Sequence, residues 1–125
     1  MTRTTWIAFL VAAGVGAPAR YLLDGWVQDR TTGAFPWGTF VVNITGCFVL
    51  GLLTGGGLYH GLGADARTVI GTGGMGAYTT FSTFTFETVR LAEEGALDEA
   101  FRNVAASFVL GLAAAAAGIA IMAAL

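Results

Sequence analysis

The sequence has no lysine, one cysteine, one histidine and two prolines in 125 residues, and charged residues make up only 11% of it. A soluble domain carries roughly 25% charged residues. Because 55% of the residues are hydrophobic, a soluble fold could not cover the apolar surface, and the composition indicates an integral membrane protein. The single thiol, Cys47, excludes an intramolecular disulfide and a cysteine-based metal site. The net charge of −2 is uninformative about nucleic acid, but the sequence has no basic patch, so we expect no nucleic-acid partner.

Charged and turn-forming residues divide the apolar sequence into four stretches, each long enough for the roughly 20 residues that a membrane crossing needs. We therefore predict an all-α integral membrane fold with a single transmembrane domain over residues 1–125. The crossings are expected at about residues 5–23, 36–59, 67–91 and 100–125. Arg3 and the apolar run that begins at Trp6 imitate a signal peptide, but the chain continues through Arg20 into further crossings, so we expect no cleavage. The expected environment is the lipid bilayer of a bacterial-type plasma (inner) membrane, crossed several times.

A run of glycine and hydroxyl residues lies inside the third predicted crossing. Residues 73–84 read Gly-Gly-Met-Gly-Ala-Tyr-Thr-Thr-Phe-Ser-Thr-Phe, and this composition predicts that the glycine-rich segment breaks the helix. Backbone groups freed at this depth must be buried in protein or line a wet cavity. Transport proteins place ion sites at broken helices near the membrane midplane. The sequence therefore predicts an ion pathway.

Polar side chains accompany the predicted break on neighbouring crossings. Thr39 and Asn43 are four residues apart and share one face of the second helix. Asn103 and Ser107 have the same spacing in the fourth crossing. The third crossing supplies the densest group, which comprises Thr79, Thr80, Phe81, Ser82, Thr83, Phe84, Thr85 and Glu87. Intramembrane polar residues mark pathways or helix contacts, and for Asn43 a helix–helix hydrogen bond is the alternative to a pore role.

These groups favour an anion over a cation. Hydroxyls, amide N–H groups and the backbone N–H groups at the start of a half-helix are donors, and phenylalanine ring edges carry positive quadrupole character. A cation pore would use a ring of carboxylates or carbonyls. The carbonyls freed by the same break could hold a cation instead, and both sites could coexist. Residue chemistry alone thus favours an anion and leaves its identity open.

The charge distribution and the small size predict a dimer. Four crossings form a thin bundle, and a pore lined on all sides requires a second copy. The arginines divide almost evenly between the two ends of the predicted helices, a weak bias that is consistent with insertion in both orientations. Small-residue pairs that permit close helix contact occur at Gly51 and Gly55 and at Gly111 and Ala115.

Three motifs, in order, resemble the Fluc/CrcB family of fluoride channels. The first helix carries Gly-Ala-x-x-Arg-Tyr at residues 16–21, and the second carries Gly-Thr-x-x-x-Asn-x-x-Gly at residues 38–46. The glycine-rich stretch is followed by Thr-Thr-Phe-Ser-Thr-Phe at residues 79–84, and Glu87 stands where the family commonly has a glutamate. The resemblance covers essentially the whole chain. Departures from the family's pattern occur at Pro18, Cys47, Met75, Ala77 and Tyr78.

The resemblance implies a dual-topology homodimer whose antiparallel subunits form two pores along their interface. It implies passive, selective export of fluoride, which enters cells as the neutral acid and is trapped inside as the anion. The negative interior potential then drives the anion outward with about 2.3 kcal/mol per charge per 100 mV. Some family members pair two paralogous subunits, so a paralogous partner is a second expectation.

Residue roles are also implied by the resemblance. Asn43 is expected to donate to fluoride, and the ring edges of Phe81 and Phe84, from different subunits, to face the ions in each pore. Arg20 is expected near the pore entrance, where it would raise the local anion concentration. A central polar cluster and a track on the fourth helix are expected to comprise Thr39, Ser82, Thr83, Glu87 and Ser107. The backbone carbonyls of Gly76 and Thr79 are expected to bind a structural sodium ion at the dimer centre.

Three other classes of membrane protein fit the sequence less well than an ion channel. A small multidrug exporter needs an acid within its first helix, where this chain has Arg20 and no acid before Asp24. A lipid-directed membrane enzyme needs a nucleophile–base pair, which does not accompany the acidic loop at residues 93–99. A structural subunit without transport would gain little from a line of polar residues through the membrane. We therefore expect a channel that is not an enzyme.

Overall fold

The computed structural model describes residues 1–125, and every regular element in it is helical, so the predicted all-α class is confirmed. In chain order the elements are α1 (Arg3–Gln28), α2 (Trp37–Tyr59), α3 (Ala64–Arg67), a π-helix (Thr68–Met75), α4 (Gly76–Tyr78), α5 (Ser82–Glu93) and α6 (Leu97–Ala124). Three of them, α1, α2 and α6, are long and apolar enough to cross a membrane. The elements from α3 to α5 follow one another as a fourth, interrupted helical path.

Most large apolar side chains face outward. Leu10 on α1 is 64% exposed and Phe108 on α6 is 69% exposed. The largest fully buried side chains are those of Val42 and Asn103. A small core beneath so much apolar surface suits a lipid environment or a further subunit rather than water.

The closest helix pair of the fold is α2 with α6, which pack through their small residues. A Cβ atom on Gly51 would collide with the carbonyl oxygen of Ala115. A Cβ atom on Gly118 would lie 2.5 Å from the carbonyl oxygen of Phe48. The small-residue pairs seen in the sequence thus bring two helices of one chain into backbone contact.

The third predicted crossing is interrupted, as expected, but its glycines do not form the interruption. They lie within the helical backbone of the π-helix, where Gly71, Gly73 and Gly74 are buried. The interruption thus lies in the hydroxyl-rich half of the predicted run at residues 73–84, and not at its glycines. A Cβ atom on Gly73 would lie 3.0 Å from the ring and carbonyl oxygen of Phe9, so the glycines serve close packing against α1. A π-helix is rare and is frequently found at functional sites.

The interruption follows the glycines. Helical backbone ends at Tyr78, and Thr79 is extended with φ −79° and ψ 163°. Helix resumes at Ser82 as α5. Thr79 to Phe81 are therefore the break, and we use that name for these residues below.

Two helices approach the break from different sides. A Cβ atom on Gly16 of α1 would collide with the backbone of the π-helix, and one on Gly46 of α2 would collide with the methyl group of Thr79. Because neither glycine has a side chain, both helices lie directly against this part of the chain. The contact brings Arg20, one turn after Gly16, and Asn43, almost one turn before Gly46, to the break.

Candidate functional site at the interrupted helix

Asn43 is bound to the backbone of the break by both ends of its side-chain amide. Its Nδ2 donates to the carbonyl oxygen of Thr80 at 2.8 Å, and the N–H of Thr80 donates to its Oδ1 at 2.8 Å. In a continuous α-helix that N–H would donate to the carbonyl oxygen of Gly76. The amide thus replaces the missing helical hydrogen bond and fixes the break against α2. One Nδ2 hydrogen remains for a further acceptor.

The hydroxyl of Thr80 starts the helix that follows the break. It accepts a hydrogen bond from the N–H of Thr83 at 3.1 Å and donates to Thr83 Oγ1 at 3.0 Å. Thr80 stands one residue before the N-cap position, Phe81, and its oxygen accepts from a first-turn N–H as an N-cap oxygen does, a type of bond that stabilises a helix by about 1 kcal/mol. Thr80 is only 9% exposed, so this cap is buried. The start of α5 is therefore fixed relative to the break.

Arg20 contacts the break from α1. Its Nη1 donates to the carbonyl oxygen of Thr79 at 3.1 Å. The side chain also borders a cavity of about 160 Å³. The residues that line this smaller cavity are Ala17, Arg20, Tyr21, Asp24, Thr39, Val42, Thr80 and Thr83. The arginine predicted near a pore entrance thus lies with its guanidinium on the backbone of the break.

Thr39 and Glu87 connect the smaller cavity with a larger one. The Thr39 hydroxyl donates to Glu87 Oε1 at 3.1 Å, and Thr39 is only 3% exposed. Glu87 Oε2 is buried without a hydrogen-bond partner. Glu87 lines a cavity of about 830 Å³, which also includes Asp24, Arg30 and Arg90. The bond between Thr39 and Glu87 therefore lies between the two cavities.

Few of the predicted donors at the site are still free. The Thr39 hydroxyl hydrogen is used by Glu87, and that of Thr80 is used by Thr83. The N–H groups of Arg20 that do not bind Thr79 remain, as do one amide hydrogen of Asn43 and the hydroxyl hydrogen of Thr83. Of these, Arg20 and Thr83 line the smaller cavity, where free donors can replace the water of an anion.

Ser82 lies beside this donor set. Its Oγ is 3.4 Å from Thr80 Oγ1, and the residue is exposed at the start of α5. Its hydroxyl is thus accessible from outside the protomer.

The two predicted pore phenylalanines are neighbours within the chain. The ring centroids of Phe81 and Phe84 are 6.0 Å apart, with an angle of 41° between their planes. Phe81 is 78% exposed and Phe84 is half-buried. That the two rings of one pore come from different subunits stays a prediction.

Ser107 belongs to a different polar group. Its hydroxyl lies 3.5 Å from Asn103 Oδ1, and Asn103 Nδ2 donates to Thr88 Oγ1 at 2.9 Å. The bond from Asn103 to Thr88 joins α6 to α5, and Ser107 forms no hydrogen bond with the break. The structure therefore groups Ser107 with Asn103 and not with Asn43.

The site roles implied by the family resemblance did not include three residues that the structure places at these sites. Thr80 stands inside the Thr-Thr-Phe-Ser-Thr-Phe motif, which was the signal for it. Asp24 lines both cavities, and its position at the end of the first predicted crossing was the available signal. Asn103 is 1% exposed, and a second asparagine within the membrane was a signal of the same kind as Asn43.

The two carbonyls predicted to bind sodium differ in their surroundings. The Gly76 carbonyl has lost its helical donor because the N–H of Thr80 is bound to Asn43, so this oxygen suits a cation. The Thr79 carbonyl accepts from Arg20 and keeps one lone pair for a second partner. No cluster of three or more His, Cys, Asp or Glu side chains is arranged for a metal. A cation at the break would therefore depend on backbone oxygens.

The fold and the site together define a class: multi-pass α-helical membrane proteins with a discontinuous helix that carries buried polar groups. Residues 7–119 match the family described as CrcB-like protein, Camphor Resistance (CrcB). The chain belongs to this family, as the motifs predicted.

Characterised relatives resemble the chain over most of its length. It is 49% identical over 114 residues to "Fluoride-specific ion channel FluC 1" of Streptomyces avermitilis, and the aligned residues cover 91% of this chain and 92% of the relative. It is 45% identical over 118 residues to "Fluoride-specific ion channel FluC 2" of Mycobacterium bovis, which covers 94% of this chain and 90% of the relative. These names are those of ion channels, in agreement with the expectation that the chain is not an enzyme.

Proposed function

We propose that this protein is a fluoride-selective ion channel that exports cytoplasmic fluoride passively across the bacterial-type plasma (inner) membrane. The observation that carries the proposal is the break, whose backbone is fixed by Asn43 and which adjoins a small cavity with free donors. Relatives that are 44–49% identical over nearly the whole chain carry the name of fluoride-specific channels, which supports the choice of ion. A channel suffices because the membrane potential drives the anion outward.

The proposed assembly is a dual-topology homodimer of antiparallel subunits with two pores along the interface. Each subunit is a single four-crossing domain over residues 1–125, with crossings at about residues 5–23, 36–59, 67–91 and 100–125. The elements from α3 to α5 form the interrupted third crossing. The Phe81 side chain is 78% exposed, so its ring is free to contact a second subunit beside the break.

The proposed fluoride pathway uses the free donors of the site. Asn43, Arg20 and Thr83 supply N–H and O–H groups, and Ser82 adds an exposed hydroxyl at the start of α5. The ring edges of Phe81 and Phe84 add weakly positive surface without competing hydrogen bonds. Thr39 with Glu87 and, on α6, Ser107 complete the pathway.

We propose a structural sodium ion at the dimer centre, held by the carbonyls of Gly76 and Thr79 from both copies. Bound there, sodium would supply a positive charge at the C-terminal ends of two half-helices, which carry partial negative charge. The Gly76 carbonyl has lost its helical donor, which supports this choice of oxygen. The Thr79 carbonyl would serve with the lone pair that Arg20 leaves free.

The test is a fluoride release assay in liposomes. The purified full-length chain alone is reconstituted, and a fluoride electrode follows release, with chloride as the control ion. Fast release of fluoride with retention of chloride is expected. Retention of fluoride by this chain alone would contradict the homodimer, and retention after co-expression with a paralogous subunit would contradict the channel function.

A further inference from the structure

We propose that Arg20 is a positioning residue of the break: its guanidinium holds the Thr79 carbonyl from within the same chain as a tethered cation. The inference rests on the proposed function only where fluoride flux is measured, because the local order of the break can be measured separately. It differs from the expected role near a pore entrance, in which an arginine acts at a distance on passing anions.

The geometry of α1 delivers Arg20 to this carbonyl. Gly16 lies one turn earlier on the same face of α1, where a Cβ atom would collide with the π-helix backbone. The absence of a side chain at Gly16 brings α1 into backbone contact, and Arg20 then reaches the chain 59 residues later. The Nη1 to Thr79 carbonyl distance of 3.1 Å is that of a direct hydrogen bond.

The guanidinium of Arg20 has no acidic partner. The two ion pairs of the chain join Arg90 to Glu94 and Arg102 to Glu99. Asp24 lines the same smaller cavity as Arg20 but forms no ion pair with it. The positive charge of Arg20 is therefore directed to backbone oxygen.

The Thr79 carbonyl oxygen lies at the end of a helix, where a cation stabilises the backbone. Helical structure ends at Tyr78, and the last carbonyls of a helix carry partial negative charge. A bonded guanidinium compensates this charge in a half-buried place, where water compensates it poorly. Arg20 on Thr79 and Asn43 on Thr80 thus fix two successive residues of the break from two different helices.

A direct contact of Arg20 with the break (positioning) and long-range attraction of anions by its charge (steering) predict different effects of salt and of substitution by lysine. Steering acts through solvent, weakens with salt and depends on charge alone. Positioning acts through contact, so salt does not mask its loss, and lysine, a point donor without the planar fork, replaces arginine incompletely.

The experiment compares Arg20→Met with Arg30→Met in the full-length protein. Arg30 is the matched control because it carries the same charge and lines the larger cavity. It binds only the carbonyl of Trp26, at 3.0 Å, and the ring of the same residue. Hydrogen–deuterium exchange is measured by mass spectrometry on peptides that cover residues 79–86, with residues 48–56 as an internal reference for folding.

Arg20→Met should speed exchange of the Thr80 and Thr83 amides at least tenfold and leave residues 48–56 unchanged, whereas Arg30→Met should change neither. Unchanged protection of residues 79–86 in Arg20→Met overturns the proposal. If that variant does not fold, Arg20→Lys decides: at least threefold faster exchange of the same amides supports positioning, and wild-type protection overturns it.

Flux separates this inference from the proposed function. In liposomes, the fluoride flux of Arg20→Met should fall at least tenfold at both low and high ionic strength. A flux deficit that high salt abolishes would mean steering and would overturn the proposal. If the wild type released no fluoride, the proposed function would fail, while the exchange measurement would still decide the role of Arg20.

Discussion

The side-chain amide of Asn43 forms two hydrogen bonds with the backbone of Thr80, one to its carbonyl oxygen and one from its N–H, each 2.8 Å long. One side chain of α2 therefore provides hydrogen-bond partners for both the N–H and the carbonyl oxygen of a residue outside the helix. Buried backbone groups without partners are costly, so the path of the break depends on this amide. Asn43 has a structural role in addition to its proposed contact with fluoride.

Asn43→Ala should abolish both bonds and lower fluoride flux at least tenfold. The backbone of Thr80 would be left without partners, at a cost of about 1–3 kcal/mol for each buried group. Flux in liposomes and thermal unfolding of the same preparation measure the two effects. Asn103→Ala is the control, because this buried amide binds Thr88 and not the break. It should lower stability but keep most of the flux; equal flux loss in both variants would argue against a specific role for Asn43.

Phe81→Ile should reduce fluoride flux by about tenfold or more, because isoleucine keeps bulk but has no ring edge with positive character. Thermal stability of the protomer should change little, since the side chain is 78% exposed. Phe86→Ile, on the adjoining helix α5, is the control, and its ring is 67% exposed. If electrode traces for Phe81→Ile match those of the wild type, the ring has no part in conduction.

Thr39→Val should destabilise the protein by about 1–3 kcal/mol, because it removes the one donor bound to a buried carboxylate. The measurement is the change in the free energy of unfolding in detergent. Thr39→Ser keeps the hydroxyl and should restore most of the loss. Thr54→Val on the same helix is the control, since the Thr54 hydroxyl bonds only the carbonyl of Leu50 in its own helix; similar losses for Thr39→Val and Thr54→Val would contradict the importance of the bond to Glu87.

Gly118→Ala should cost about 1–3 kcal/mol of stability through overpacking, because the new methyl group would meet the backbone of Phe48 and Leu52 at 2.5 and 2.7 Å. Gly111→Ala on the same helix should be tolerated, since its nearest neighbour would be Cys47 Sγ at 3.4 Å. Thermal unfolding of the two variants checks the difference. A smaller loss for Gly118→Ala than for Gly111→Ala would contradict the close contact of α2 with α6.

A cysteine in the loop between α1 and α2 should react with a membrane-impermeant thiol reagent from both sides of the membrane. The variant is Thr32→Cys in a Cys47→Ser background, which removes the single native thiol. Dual topology predicts that about half of the molecules in sealed vesicles react and that the rest react after permeabilisation. Complete reaction, or none, before permeabilisation would contradict dual insertion of this chain.

The sequence predicted those parts of the fold that depend on the length of the hydrophobic runs. The long apolar runs of α1, α2 and α6 leave no other solution in a bilayer, and the all-helical class was predicted from them. The exact position of the break within residues 73–84 was not, because close packing can offset the cost of glycine in a helix. Gly73 is packed against Phe9 and stays helical, while the interruption falls where Asn43 offers Thr80 alternative partners.

The residue types of the site could be predicted from the sequence, but most of their hydrogen-bond partners could not. The Asn43 contact spans 37 residues and the Arg20 contact spans 59 residues, and no local pattern reports such pairs. The Thr39 hydroxyl looked like a free donor because its acceptor, Glu87, lies 48 residues later in the chain. Ser107 shares a helix face with Asn103, which the four-residue spacing did predict, and the bond from Asn103 to Thr88 then fixes that face against α5.

The contacts of Arg20 and Asn43 also have a consequence for the order in which the helices pack during synthesis. Both helices that hold the break are made before it, so a newly inserted third crossing meets its partners at once. Closing chain segments of this length costs entropy that must be recovered by contacts made afterwards. The break therefore acquires its shape only when α1, α2 and the interrupted helical path lie side by side, and α6, made last, packs against α2 to complete a fold already shaped at its centre.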